Sequence, residues 1–134
     1  QKKPNAKSCV LQISAPNRSA LLAGDIEAAQ ELRLVGAGAA ALQADVLLVP
    51  HHGSKTSSSA PFLDAASPRF ALVQAGYRNR FGHPAAMVMD RYTSRGIVVH
   101  DSVHCGAATW SSAEPTKVQC ERDRSPRYWQ HVPP

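Results

Sequence analysis

At 134 residues the chain has the length of one domain, and 43% hydrophobic residues with only 6% aromatics make for a thin, alanine-diluted core of marginal stability. Fifteen Lys and Arg against ten Asp and Glu give a net charge of +5, which suits a polyanionic partner without requiring one. No run approaches the ~18 consecutive apolar residues of a membrane span, and no charged-then-apolar leader opens the chain, so direct membrane insertion of this segment is not expected.

In chain order, the pattern predicts a strand over 8–14, with Cys9 as a small buried thiol, then a turn at Pro16-Asn17-Arg18 and a second strand over 19–23. That strand ends in Gly24-Asp25 at the threshold of a helix over 26–35. Gly24 permits a sharp turn, and Asp25 either caps the helix or holds a divalent ion. Asp45 reads as a cap on the strand over 46–49, which empties into Pro50-His51-His52-Gly53-Ser54-Lys55-Thr56. Two imidazoles at a strand end are how a metal or phosphate site is mounted, the plainer alternative being an ordinary polar loop. Ser54, Lys55, Thr56 and Ser57 either hold a phosphate or cap the short helix over 60–66.

A strand over 71–74 leads to Gly76-Tyr77-Arg78-Asn79-Arg80-Phe81-Gly82-His83-Pro84. His83 either donates a hydrogen bond to a phosphate oxygen or is a turn residue, and Tyr77 either stacks on a base or is buried. Arg78, Arg80 and Arg91 form one basic cluster around this segment; Arg122, Arg124 and Arg127 form another. A helix over 84–94 follows, with Pro84 at its first position, Gly96 closing it, and a core stripe of Met87, Val88 and Tyr92. Strands over 97–100, 107–110 and 117–120 complete the body. Prolines and dense charge mark 115–134 as a loosely ordered tail behind a unit spanning 1–114.

Three of these stretches together carry a resemblance: Leu21-Leu22-Ala23-Gly24-Asp25, the run from Ala44 through Val49-Pro50-His51-His52-Gly53-Ser54-Lys55-Thr56 to Ser58, and Gly76 to Pro84. Over residues 3–108 the chain resembles the closing half of the metallo-β-lactamase domain of ComEC-type DNA-internalisation proteins. The resemblance implies an α/β (α+β) fold, the second half of an αββα sandwich, with a mixed sheet carrying helices on one face. It implies a dinuclear zinc or manganese site at one sheet edge and a nuclease acting on DNA during transformation. The parent would be an inner-membrane channel protein with this segment on the extracytoplasmic, periplasmic side. Asp25 would bridge the metals, and His51 or His52 would be the last ligand; alignment with a Val-Pro-Gly-His-Gly spelling favours His52 and leaves His51 as a neighbour or phosphate contact. His83, Asn79 and Lys55 would serve catalysis, and Ser54, Lys55, Ser57 and Arg78 would contact substrate phosphate.

The superfamily's His-x-His-x-Asp-His motif is absent: the six histidines are His51, His52, His83, His100, His104 and His131, and none is so arranged. The chain is therefore expected to begin part-way through such a domain, with the first half and the membrane channel as partners. Two ligands fall short of the three of a catalytic zinc, so weak or no metal binding and no activity are expected of this chain alone, together with exposed apolar surface. Two other readings are a non-catalytic DNA-docking module and a metallo-phosphodiesterase acting on another linkage, such as choline phosphate. Of three cysteines one must stay unpaired; an extracytoplasmic site permits a Cys105–Cys120 disulfide. A structural zinc at His100, His104, Cys105 and Cys120 competes with it, although His100 ends a strand while a His-x-x-x-His pair belongs on a helix.

Overall fold

The computed structural model describes residues 4–131. A five-stranded mixed sheet runs in the order β1 (Leu11–Ala15), β2 (Arg18–Leu22), β3 (Val46–Leu48), β4 (Phe70–Val73), β5 (Val98–Asp101). β1 and β2 form an antiparallel hairpin turned by Asn17 in the left-handed region, and the other neighbours are parallel. Parallel pairing demands crossovers, supplied by helices α1 (Ala28–Gly38), α2 (Ala60–Ala66) and α3 (Ala86–Thr93). Helix α4 (Ser102–Cys105) leads to a separate hairpin of β6 (Ala108–Ser111) and β7 (Glu114–Cys120), and α5 (Glu121–Arg124) follows.

Strand alternation decides which face carries the core. Leu21, Leu47, Ala71 and Val99 are in register, and the first three are fully buried with Phe62, Leu63 and Ala66 of α2 and Val88 and Tyr92 of α3. The adjoining row of Leu11, Leu22, Leu48 and Leu72 lies on the opposite face. Trp110 reaches over part of that row, but Leu11 and Ile13 of edge strand β1 are 55% and 53% exposed. The sheet is thus mixed, with its helices on one face, and its other face offers the exposed apolar surface expected.

One buried network joins α1, α2 and α3. Glu31 is fully buried, and its carboxylate accepts from the amides of Ser58 at 2.6 Å and Ser59 at 2.7 Å, just before α2. Ser58 Oγ meets the Tyr92 hydroxyl at 2.9 Å, and burial pushes that phenol far above its ordinary range. Arg91 donates to the carbonyls of Ser57 and Ser58 at 3.1 Å each. It therefore fixes the loop before α2 and does not join Arg78 and Arg80 in a phosphate-facing cluster, as its place in the sequence suggested.

Several element ends differ from the pattern. Helix α1 begins at Ala28, capped by Glu27 in a reciprocal box with Gln30, which leaves Asp25 outside the helix and not its cap. Pro84 does not open α3: it follows a cis His83–Pro84 bond, and Ala85 is the cap, because the Ala85 amide donates to Gly53 O at 2.9 Å and holds the segment extended. Cys9 precedes β1 and is exposed, since β1 is an edge strand with every residue open to solvent. Within 115–134, Val118, Gln119 and Cys120 of β7 pair with β6, and Cys120 is bonded to Cys105. No helix of the described residues is long and apolar enough to cross a membrane.

Candidate metal edge and its loops

The C-terminal ends of β2, β3 and β4 open onto one edge, the place where parallel sheets collect ligands. Backbone bonds lace the three exits together. The His51 amide donates to Gly24 O at 2.9 Å, setting the β3 exit beside Asp25, while the Ala85 to Gly53 bond ties in the loop after β4. His51 and His52 both lie in the left-handed region, with φ of 48° and 55°, followed by Gly53 at 78°. Left-handed non-glycine residues cost of order 1 to 3 kcal/mol each and persist where surroundings over-determine them, as at functional sites. Gly53 is required by space too: a methyl there would lie 2.6 Å from Pro84 Cβ.

The two imidazoles have different duties. His52 Nδ1 lies 2.8 Å from Gln74 O, and a carbonyl can only accept, so Nδ1 carries the proton. Its other nitrogen, Nε2, lies 3.4 Å from Asp25 Oδ1, where a proton or a cation shared between the two would satisfy both. A backbone-anchored Nδ1–H with Nε2 beside a carboxylate is a geometry shared by His–Asp ion pairs and by metal-binding histidines. His51 is taken up internally: Asn5 Nδ2 is 3.3 Å from its Nε2, and Glu27 Oε1 and Thr56 Oγ1 lie 3.6 and 3.4 Å from its Nδ1. Glu27 was missed in the sequence. The signal was Asp25-Ile26-Glu27, in which alternate carboxylates flank an Ile26 that is buried.

His83 joins this edge, its ring centroid 6.0 Å from that of His51. Burial first, then the neighbouring charges of His51 and His52, lower its pKa from the ordinary 6.5. Its Nδ1 is buried without a hydrogen-bond partner among the described residues. Asn79 is the pin of the loop: its Nδ2 donates to Gly76 O and His83 O, and its Oδ1 accepts from the amides of Phe81 and His83. Arg78, at φ 49°, lies exposed over the Tyr77 ring. A small cavity of about 290 Å³ opens between His52, Gln74, Asn79, Phe81 and His83.

The remaining expected phosphate contacts separate. Ser57 is buried and its hydroxyl donates to Pro50 O and Ser54 O; Ser54 Oγ lies 3.1 Å from Thr56 Oγ1. Lys55 is exposed beside a different cavity, shared with Ala28 and Arg91. The zinc alternative at the other end of the chain gives way to a Cys105–Cys120 disulfide with His100 Nδ1 3.7 Å from Cys120 Sγ, while His104 turns to the Asp101 carboxylate at 2.8 Å. Among the described residues, that His100–Cys105–Cys120 group is the only convergence of three or more His, Cys, Asp or Glu ligand atoms. At the edge itself, Asp25 and His52 bring two donor atoms within 3.4 Å of each other.

The sequence has relatives among known proteins. The chain is 38% identical over 130 residues to the competence protein ComA of Neisseria gonorrhoeae, covering 96% of the chain and 19% of that protein. Its sequence is homologous to one segment of bacterial competence proteins. It is also 36% identical over 95 residues to ComE operon protein 3 of Bacillus subtilis and 39% identical over 90 residues to recombination protein 2 of Haemophilus influenzae, covering 71% and 65% of the chain. The chain spans less than a fifth of the length of each of these relatives. No protein-family profile matches it.

Proposed function

We propose that this chain is the closing half of a metallo-β-lactamase-type domain in a competence protein, and that it supplies Asp25 and His52 to a metal site that hydrolyses DNA phosphodiesters during uptake. The observation that carries the reading is His52, its Nδ1–H fixed on Gln74 O and its Nε2 beside the Asp25 carboxylate. When bound, a divalent zinc or manganese ion supplies Lewis acidity toward the phosphodiester. Asp25 and His52 would hold it in part, and Glu27 and Thr56 orient His51.

His83 donates a ring N–H to a phosphate oxygen, and Asn79 positions it by gripping its backbone on both sides. Arg78 supplies charge to the substrate backbone. Ser54 and Ser57 shape the turn without touching phosphate, because their hydroxyls are bonded internally. The exposed Leu11 and Ile13, on the face away from the helices, are where the other half of the sandwich packs. The Cys105–Cys120 disulfide supports an extracytoplasmic, periplasmic setting.

The test is oligonucleotide hydrolysis by the longer parent carrying Asp25→Asn or His52→Ala, with His51→Ala as comparison. The reading expects the first two to lose activity by at least 10²-fold and the third to retain most of it. Equal loss from His51→Ala and His52→Ala would overturn the ligand assignment. The non-catalytic docking reading is favoured by the two-donor count alone; a parent that binds DNA but releases no product with either metal would establish it.

A further inference from the structure

The loop between β4 and α3 has a feature that hydrolysis does not use. Phe81 is 65% exposed and Tyr77 43% exposed, and neither joins the core. The loop that presents them is rigid: besides the four side-chain bonds of Asn79, the Asn79 amide donates to Gly76 O and the Gly82 amide to Asn79 O. An exposed aromatic on a pinned loop loses little freedom when something stacks on it.

The surroundings define what that partner is. The Arg80 guanidinium lies 4.9 Å from the Phe81 centroid and that of Arg78 lies 5.1 Å from Tyr77, while no Asp or Glu occurs from Gln74 to Met89. The Phe81 ring lies nearly parallel to His83, at 22° and 5.8 Å, and both line the small cavity that also reaches His52. The C-terminal segment docks on the same loop through a Tyr77–His131 ring contact of 5.0 Å. Just before it, Arg127 lies 5.4 Å from the ring of Trp129, which is 63% exposed. Solvent-open aromatic faces interleaved with guanidinium groups, on a segment that carries no carboxylate of its own, are the chemistry of a surface for unpaired nucleobases.

We infer that this loop is a base-stacking platform for single-stranded DNA, with Phe81 holding an unpaired base beside the Asp25–His52 edge and Arg78 and Arg80 following the backbone. A duplex keeps its base faces stacked on one another and has none to offer Phe81. The platform thus selects the strand presented to the edge. This rests on the DNA reading above and adds strand type to it.

The experiment uses this chain with metal removed by chelator, so that binding is read independently of hydrolysis. The probes are a fluorescein-labelled 20-nucleotide oligo(dT) and a labelled mixed-sequence duplex of equal length, followed by anisotropy across a salt series. Oligo(dT) is expected to bind at least tenfold tighter than duplex. Phe81→Ala should weaken oligo(dT) binding roughly 5- to 100-fold and leave duplex binding unchanged. Arg80→Ala should weaken both and lower the salt slope by about one contact. Phe81 lies outside the core, so an unchanged amide spectrum away from the loop is expected to confirm the fold. Equal affinity for the two probes, equal loss on Phe81→Ala, or no binding to either would overturn the inference. Hydrolysis of duplex by the parent without any Phe81 dependence would overturn it while leaving the metal reading standing.

Discussion

Replacing Gly53 with Ala tests the interlock of the candidate edge directly. The new methyl would sit 2.6 Å from Pro84 Cβ and 3.1 Å from Pro84 Cα, both parts of a rigid ring and its backbone. At φ 78° the side chain adds left-handed strain of about 1 to 2 kcal/mol. Moving Pro84 away by nearly an ångström, with Met89 Cε at 3.4 Å as well, adds about 1 to 3 kcal/mol of overpacking. Gly53→Ala should therefore lower stability by about 2 to 5 kcal/mol, a large share of what a thin-cored domain has. Gly36→Ala is the control: its site in α1 has nothing within 4 Å, and replacing a helical glycine should raise stability by about 0.5 to 1 kcal/mol. Urea unfolding with the disulfide intact reads both as midpoint shifts of opposite sign. A Gly53→Ala chain within 0.5 kcal/mol of the parent would refute the argument that the β3 exit and the segment at Pro84 are packed against each other.

Glu31→Gln leaves one of the amides of Ser58 and Ser59 buried without an acceptor and should cost about 1 to 3 kcal/mol in the same assay; a neutral effect would mean the carboxylate is dispensable. Reducing Cys105–Cys120, which closes a loop of separation 15, should remove up to ~3 kcal/mol of local stability, seen as faster amide exchange in β6 and β7 with β3 and β4 still protected; uniform acceleration would contradict this. His83 gives a pH signature in metal-free protein. Its folded pKa is lowered, so the unfolded chain binds the proton first as pH falls. The stabilising contribution is complete above the ordinary 6.5 and is lost on acidification toward the folded value. Stability should rise with pH through that window, and His83→Asn should flatten the slope; an unchanged slope would remove His83 as its cause.

The sheet was legible because its signals are local. The apolar run Val46-Leu47-Leu48 and the short apolar runs ending in Gly24 and Gln74 announce strands, and the gaps between them have helical length. The helix over Ala60–Ala66 was read to the residue because its proline and serines mark its start. Hydrogen bonds between distant segments were not legible. The Ala85 amide reaches back to Gly53, which displaced the start of α3; nothing in the sequence near Pro84 encodes that acceptor. Cys9 looked buried because the apolar alternation around it suits a covered strand, whereas β1 is an edge with both faces open. Asp25 and the histidine pair were legible as candidates, and the alignment already favoured His52 over His51; the contacts that set the two rings apart, to Gln74, Asn5 and Glu27, were not, because no motif joins those three residues.

The most direct test of the account is a manganese titration of this chain followed by amide NMR. Two donors bind weakly, so millimolar ion is needed, and paramagnetic broadening reports even a sparsely filled site. The account predicts broadening that starts at Asp25 and His52, spreads to His51 and His83, and disappears in the Asp25→Asn, His52→Ala double variant. Broadening that centres elsewhere, or that persists in the double variant, would contradict it.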